Sequence, residues 1–532
     1  MKFIEYIYIV LCVNKFIVIS LFGIRLINLK MIKKVLVANR GEIAVRVMRS
    51  CREMGIITIG VFSDADRNAM HVRYADQAWN IGPAPSRESY LNIDNIIDAA
   101  RRSGADAIHP GYGFLSENAG FSKRCQDEGI IFIGPDPYAI TTMGDKITAR
   151  KTMIRAGVPV VPGTTEKITD EQNAHEIVRE VGLPVMIKAS AGGGGKGMRL
   201  VRRIEELDSS FRRAKSEALN AFGDDSVYIE KYIQSPHHIE FQILADNHGN
   251  AVHLFERECS IQRRHQKVIE ESPSPLMNPE LRREMGEKAV MAAKAVNYKG
   301  AGTIEFIVSD DLEYYFLEMN TRLQVEHPVT ERVVGVDLVK EQINIANGNP
   351  LPFGQDDLKQ HGHAIQCRIY AEDPDNNFMP NPGVVKHITE PHGLGIRCDG
   401  YVYEGYEIPI YYDPLITKLI SWGITRNEAI ARMKRALYEY KITGVITNIK
   451  FLEKIMDTVD FREGKYNTHF IEKNTEVLQA SLLCGTECED MAVMAAFIDF
   501  VNKMERIQPP RYTGELGSNW KDFGRKRNVL RL

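Results

Sequence analysis

Cysteine is scarce: eight in 532 residues. Cys12, Cys51, Cys125, Cys259, Cys367 and Cys398 are scattered, and only Cys484 and Cys488 lie close together. That pair has neither a second pair nor a nearby histidine, which argues against a zinc site. Sparse, scattered thiols suit a reduced, cytoplasmic compartment. A charge excess of one sign is also missing. Lys+Arg number 67 and Asp+Glu 70, a formal net charge of −3, so bulk attraction to nucleic acid is excluded, though not a local basic patch. Long hydrophobic runs are missing too. In the apolar first thirty residues Lys15 separates Tyr6–Asn14 from Phe16–Ile24, each well short of the ~20 residues of a membrane helix. Glu5 and the lack of a small-residue cleavage site disfavour a signal peptide. Translation is expected to begin at Met31, making 1–30 a spurious or non-native extension; an anchor or a signal is the alternative. What remains is ordinary globular composition, 44% hydrophobic and 26% charged, and a length that at roughly 150 residues per domain suggests three to four domains.

Local patterns divide the chain. Lys34–Ala38 reads as a buried strand, Asn39-Arg40-Gly41 as a turn, Glu42–Met54 as a helix closed by Gly55, and Ile56–Phe62 as the next strand. Ala107–His109 and Ile130–Ile133 add short strands with helix between. This alternation predicts a doubly wound parallel sheet over 31–144. Gly111-Tyr112-Gly113 lacks the third glycine of the dinucleotide fingerprint, since Ser116 stands there, but it follows a strand where such sheets bind ligands. Pro184–Ala189 and Met198–Val201 predict a hairpin whose tip is Gly192–Gly197. Strands dominate 235–330, including Ala301–Val308 and Glu313–Met319. From 364 to 475 strands mix with one clear helix, Arg426–Tyr440. Ala492–Phe500 reads as a helix and Lys521–Leu532 as a basic tail. There is no long internal repeat and no low-complexity linker.

Several clusters carry chemistry. Gly192–Gly195 expose backbone N–H groups that can wrap phosphate oxygens. This is no Walker A loop, because Ser190 and Gly197 stand where Gly and Ser/Thr are required. Lys188 can aim a cation at the same phosphates. If Glu318–Glu326 runs extended, Glu318, Asn320, Arg322, Gln324 and Glu326 share one face, and Met319, Leu323 and Val325 the other. That face offers oxygen ligands for a hard cation, an anion-holding guanidinium and a carboxylate base. Glu305, across a hairpin turning near Asp310-Asp311, can join Glu318 and Asn320 around Mg²⁺, although the strand register is open at this point. Gln262–Lys267 (QRRHQK) reads either as an anion holder or as a solvated basic run. Glu230–Ile233 suits an adenine pocket in which backbone groups read the base edge. Arg368, in an alternating strand, is unremarkable alone.

Together these segments resemble the biotin carboxylase component of biotin-dependent acyl-CoA and pyruvate carboxylases, in the ATP-grasp superfamily. The resemblance covers about 31–475. It rests on ANRGEIA (Ala38–Ala44), HPGYGFLSEN (His109–Asn118), MGDK (Met143–Lys146), KASAGGGGKGM (Lys188–Met198), EKY (Glu230–Tyr232), QRRHQK and EMNTRLQVEHPVTE (Glu318–Glu331). It implies a multidomain α/β and α+β fold: an N-terminal doubly wound domain (31–144), an ATP-grasp domain (145–363, with a mobile glycine-rich lid about 161–233) and a C-terminal mixed domain (364–475). Residues 476–532 are an extension of unassigned role.

By resemblance, Lys146, Lys188, Gly194, Gly195, Glu230, Lys231, Tyr232, Ile233, His238, Gln262, His265, Glu305 and Glu318 contact ATP. Glu305, Glu318 and Asn320 hold Mg²⁺ or Mn²⁺. Lys267, Arg322, Gln324, Val325 and Glu326 bind bicarbonate, with Glu326 as its base. Arg368, Tyr112 and Gly113 meet biotin, and Lys267, Arg322, Glu326 and Arg368 form the catalytic set. Ala191 and Lys196 stand where other members show Gly and Arg; charge is kept at 196. The implied reaction is ATP-dependent carboxylation of biotin through carboxyphosphate. No Ala-Met-Lys-Met-like hairpin is present, Met433-Lys434 lying in a predicted helix, so biotin is expected on a separate carrier protein, and a separate carboxyltransferase is expected beside it. Homodimer formation through Arg46, Arg49 and Arg397 is expected, in the cytoplasm. The alternatives are another ATP-grasp carboxylate or carbamoyl ligase, a non-catalytic nucleotide-binding subunit, and a membrane-anchored form that turns on 1–30.

Overall fold

A computed structural model describes residues 31–168, 170–190, 198–479, 493–501 and 503, and the backbone of 9–12, 15–20 and 23–27. The chain divides into two compact units, Met1–Leu478 and Gln479–Leu532. In the first, Ile9–Cys12, Lys15–Ser20 and Gly23–Ile27 pair antiparallel.

Residues from Ile32 to Phe132 form a five-stranded parallel sheet in the order Gln77–Asn80, Ile57–Phe62, Lys34–Val37, Ala107–His109, Ile131–Phe132. Val35, Leu36 and Val37 are fully buried, as an apolar run covered on both faces requires. The chain begins in the central strand, winds to one edge, then returns to the other side. This places the switch point between Lys34–Val37 and Ala107–His109, where a ligand crevice is expected. The helix predicted over Glu42–Met54 is Gly41–Glu53, with Met54 closing it and Gly55 at φ +69° just beyond. Asn118 caps Ala119–Asp127 by accepting from the Phe121 amide, fixing Glu117 just ahead of the helix.

A small antiparallel sheet, Met198–Val201, Val185–Ala189 and Val227–Lys231, packs with the helices Glu171–Val181 and Leu207–Phe222 around its own apolar core. The central element is an eight-stranded sheet in the order Tyr314–Asn320, Gly300–Val308, His237–Ala245, Ala251–Arg263, Gln266–Ser272, His363–Tyr370, Leu415–Gly423, Ile396–Gly400, each neighbouring pair antiparallel. It runs unbroken past residue 364, because Gln266–Ser272 pairs directly with His363–Tyr370. The helix predicted at Arg426–Tyr440 is Arg426–Glu439.

In the second unit residues 493–501 are helical, with Val493, Met494, Phe497 and Ile498 exposed. Ala492, Cys484, Cys488, the basic tail and the glycine-rich tip 191–197 lie outside the described residues. Among the described residues no helix is long and apolar enough to cross a membrane.

Candidate active site

Strand register builds the centre of the site. Glu240 lies opposite Glu305, and Glu305 opposite Glu318, so three carboxylates form a row across three adjacent strands. Like charges in such positions repel. Lys267 answers two of them and one further carboxylate: its Nζ donates to Glu240 (2.5 Å), Glu305 (2.9 Å) and Glu326 (2.6 Å), one carboxylate for each ammonium proton. His238 Nε2 is 2.9 Å from Glu305, and the fully buried Arg257 donates to Glu240 (2.6 Å), Gln242 (2.7 Å) and Gln324 (2.5 Å).

The expected extended run over Glu318–Glu326 is corrected by the structure. The strand stops at Asn320, and Glu326 is the residue that opens the helix His327–Val334. Pro328 supplies part of the reason, since proline has the fixed φ of a first helical turn. Glu117 supplies the rest, accepting from the Thr321 amide (3.0 Å) and from Arg322 Nε (2.8 Å) and so turning the chain. The polar side chains converge by folding rather than by alternation. Asn320 Nδ2 (2.8 Å) and Gln324 Nε2 (2.7 Å) both donate to Glu305, and Arg322 Nη2 donates to Asn320 Oδ1 (2.8 Å).

Electrostatics keep this buried cluster ionised. Burial would raise the pKa of Glu326 and Glu240 adds to that push, but Lys267, Arg368 and Arg257 together outweigh both, leaving it below the ordinary carboxylate range. Glu305 is held well below that range, burial being overcome by Lys267 and His238. Glu240 falls to about 2, burial again being overcome, by Arg257 and Lys267. Despite its burial, Lys267 lies well above a free lysine because of Glu240, Glu305 and Glu326.

The wall around Lys146 and Glu318 is looser. Lys146 Nζ is 3.8 Å from Glu318, whose side chain is 40% exposed against 5% for Glu305. A cavity of about 210 Å³ opens here, lined by Lys146, Glu318, Asn320 and Glu117. Lys188 forms a close ion pair with Glu230. Lys231 Nζ is tied to the carbonyls of Gly182 (3.1 Å) and Leu183 (2.9 Å). The amides of Lys231 and Tyr232 donate to the carbonyls of Pro162 and Pro184, so those two donors are committed within the protein. Ile233 follows immediately. Gly194 and Gly195 lie outside the described residues; the strands flanking them pair antiparallel, Lys188 opposite Met198.

The QRRHQK segment divides. Arg264 and His265 form a two-residue turn at φ +51° and +64°, exposed, which separates His265 from the carboxylate cluster. Arg263 pairs with Glu372 (3.1 Å) and stacks on Phe378. Only Lys267 enters the cluster, while Gln262 Nε2 meets His238 Nδ1 at 3.0 Å. The run as a whole therefore does not converge on one site: Lys267 enters the carboxylate cluster while Arg263 pairs elsewhere, because a hairpin sends neighbouring side chains to different places.

On the other side a cleft of about 540 Å³ opens at the parallel sheet's switch point, lined by Tyr112, Gly113, Arg322, Val325, Arg368 and the Asn39–Ile43 turn. Gly113 has φ +68°. Arg40 is fixed beneath it by two hydrogen bonds to Asp66 (2.6 and 2.8 Å) and stacks on Tyr412. Arg368 reaches Glu326 with Nη2 (3.0 Å) and Glu270 with Nε (2.6 Å).

Glu305 and Glu318 lie directly opposite one another across two strands, with Asn320 two residues beyond Glu318 and its amide oxygen accepting from Arg322. Sequence reasoning missed Glu117, Glu240, Arg257 and Glu270. Glu117 stood inside the HPGYGFLSEN segment. The other three lie in strands that carry further polar residues, and it is their complete burial that singles them out, since a buried ionised group must have a partner.

Three family profiles match consecutive segments: Biotin carboxylase, N-terminal domain (31–140); Carbamoyl-phosphate synthase L chain, ATP binding domain (145–353); and Biotin carboxylase C-terminal domain (366–473). The biotin carboxylase of a Nostoc species is 57% identical over 83% of this chain and 98% of its own. Biotin carboxylase 1 of Bacillus subtilis is 55% identical over 83% of this chain and 98% of its own. The biotin carboxylase domain dimer of Hydrogenobacter thermophilus 2-oxoglutarate carboxylase, solved with MgADP, ADP and bicarbonate, superposes with a TM-score of 0.82 at 49% identity, over 85% of this chain and all of that one.

Proposed function

The chain belongs to the biotin carboxylase family, an ATP-dependent carboxylase by its relatives, and from that premise we propose that the cluster around Lys267 is where bicarbonate is activated. The observation that carries the reading is the Glu326 carboxylate, held between Lys267 (2.6 Å) and Arg368 (3.0 Å) at the meeting of the nucleotide wall and the cleft.

Lys267, Arg322, Gln324 and the Val325 backbone bind bicarbonate. Glu326, kept ionised, takes its proton. The resulting dianion attacks the γ-phosphorus of ATP, and the bond to the bridging oxygen breaks, giving carboxyphosphate and ADP. Lys146, Lys188, Glu230, His238 and Gln262 hold the nucleotide, with Gly194, Gly195, Lys231, Tyr232, Ile233 and, on lid closure, His265 completing the contacts. Mg²⁺, or Mn²⁺ in its place, held by Glu305, Glu318 and Asn320, supplies neutralisation of phosphate charge. Carboxyphosphate divides into CO₂ and phosphate. The phosphate takes the N1 proton of biotin, and N1 attacks CO₂. Arg368 faces the ureido oxygen as negative charge develops there, with Tyr112 and Gly113 forming the cleft wall.

Biotin arrives on a separate carrier protein, and a carboxyltransferase subunit uses the product. Lys434 supports this division, since it lies within a helix and is paired with Asp457 rather than displayed on a hairpin. Domains divide near 144, 364 and 475, with 161–233 as the lid. The chain dimerises through the face around Arg49. Arg46 and Arg397 are spent inside the protomer, on Glu331 (2.7 Å each), Asp337 and Asp399, and therefore shape that face more than they cross it. Cys51, Cys125, Cys259, Cys367 and Cys398 are free thiols, which supports a cytoplasmic location.

The match of 145–353 to a carbamoyl-phosphate synthase domain favours one rival, a carbamoyl or carboxylate ligase. Steady-state ADP release with ATP, Mg²⁺ and bicarbonate separates the two. Stimulation by free biotin, with carboxybiotin formed, is the expected result; stimulation by an amine instead overturns the reading.

A further inference from the structure

Glu270 is a buried carboxylate that the reaction above does not use. It lies opposite Gln366 on the neighbouring strand, two residues before Arg368, and is fully buried. Arg368 places Nε and Nη2 within 2.6 Å of Glu270 Oε1, and Gln366 Nε2 donates to Glu270 Oε2 at 3.1 Å. The same Nη2 is 3.0 Å from Glu326 Oε2. One guanidinium is thus shared by two carboxylates, and only one of these faces bicarbonate.

We propose that Glu270 is the positioning residue for Arg368, holding the guanidinium at the cleft when Glu326 has taken the bicarbonate proton and lost its grip. This rests on the assignment of Glu326 and Arg368 given above. Before proton transfer Arg368 is held by both carboxylates, of which Glu326 is the ionised one. Afterwards Glu326 is neutral and its ion pair weakens. An arginine anchored there alone would be free to swing away at the stage when charge begins to build on the ureido oxygen. Glu270 is out of water's reach, and Gln366 fixes its orientation. Burial pushes Glu270 up to about 7, with Arg368 pulling it down and the charge of Glu326 pushing it up. Neutralising Glu326 removes that upward push and leaves Glu270 the better anion at the moment its hold is needed. The device links the first chemical step to the second through one shared side chain.

The test compares four full-length proteins: unchanged, Glu270→Gln, Arg368→Ala and the double variant. Two activities are read, ADP release with bicarbonate but no biotin, and biotin-dependent carboxylation with kcat and KM for free biotin separated. Glu270→Gln is expected to lower biotin-dependent kcat/KM by ~10-fold or more while biotin-free ADP release stays within ~3-fold. In the Arg368→Ala background Glu270→Gln should add less than ~2-fold, because a residue that acts through another has nothing left to act on. Equal loss of both activities, no loss of either, or multiplicative losses in the double variant would each overturn the proposal. If Glu270→Gln does not fold, Glu270→Asp keeps the charge but withdraws it by one methylene; a smaller, biotin-selective loss supports the proposal, and unchanged biotin kinetics overturn it. Unimpaired biotin-dependent turnover in Arg368→Ala would instead overturn the assignment of Arg368 itself. An effect of Arg368→Ala with none from Glu270→Gln would sink the positioning role alone.

Discussion

Glu270 and Glu271 are neighbours on one strand, both fully buried, yet they sit in opposite electrostatic worlds. Glu271 looks away from the site. His363 Nε2 (2.5 Å), Arg426 Nε (2.7 Å) and Nη2 (2.9 Å), and the Tyr466 hydroxyl all attend it, and of these His363 and Arg426 outweigh burial to bring it down to about 2. Glu270 looks toward the site, shares Arg368 with Glu326, and burial takes it up to about 7. One face of the sheet gives a carboxylate several partners that answer chiefly to it; the other gives two carboxylates one arginine. A charge with dedicated partners contributes to holding the fold, whereas charges that compete for partners respond when one of them changes. The nucleotide wall is a third condition, with Glu318 partly exposed and Lys146 at 3.8 Å.

The comparison can be broken in four places, taken in order of expected effect on turnover. Glu326→Gln keeps size and hydrogen bonding but cannot accept the bicarbonate proton. Turnover should fall by ~10²-fold or more, with ATP affinity by calorimetry unchanged; near-normal turnover would remove Glu326 as the base. Arg368→Lys keeps a positive charge but loses the fork that spans Glu270 and Glu326. Biotin-dependent carboxylation should fall by ~10-fold, and biotin-free ADP release by only ~2-fold, measured in a coupled ADP assay.

On the opposite face the prediction reverses. Glu271→Ala strands Arg426 and should cost about 3–5 kcal/mol in urea unfolding. The folded fraction should keep turnover within ~2-fold at 25 °C, since none of Glu271's hydrogen-bond partners is assigned a step in the reaction. A large loss of activity in fully folded protein would erase the distinction between the two faces.

The smallest expected effect on turnover is the acid response of Glu271. Its folded pKa of about 2 lies below the model-peptide value of about 4.3. Its stabilisation, on the order of 3 kcal/mol, is therefore complete above the unfolded value and is lost as pH falls from about 4.3 toward 2. Glu271→Gln should flatten that limb of the stability–pH curve and lower the plateau near pH 7 by a comparable amount. An unchanged acid limb would show that other carboxylates govern it.

Local elements are legible where one segment carries the whole signal. Lys34–Val37, the Gly41–Glu53 helix and the Val185–Ala189/Met198–Val201 pair all follow from apolar runs bounded by turns. Asn320, Arg322, Gln324 and Glu326 do share a neighbourhood, but strand alternation is not what gathers them. Alternation ends at Asn320 because Glu117, some two hundred residues earlier in the chain, captures Thr321 and Arg322. His265 and Lys267 are close in sequence, but a tight hairpin turn is where such closeness misleads.

The amino-acid sequence by itself determined the chemical inventory: carboxylates, guanidinium groups, an amide pair and a glycine run, grouped in segments specific enough to name a family. It also determined the local periodicities that make each strand and helix. Only the tertiary structure decided which charges meet. Glu240, Glu305 and Glu318 align through the register of three strands, and Lys267 reaches the first two from a fourth. The reason is that a buried charge is tolerated only beside its counter-charge, and the counter-charges here come from Glu117 to Arg368, separations over which no local periodicity carries information.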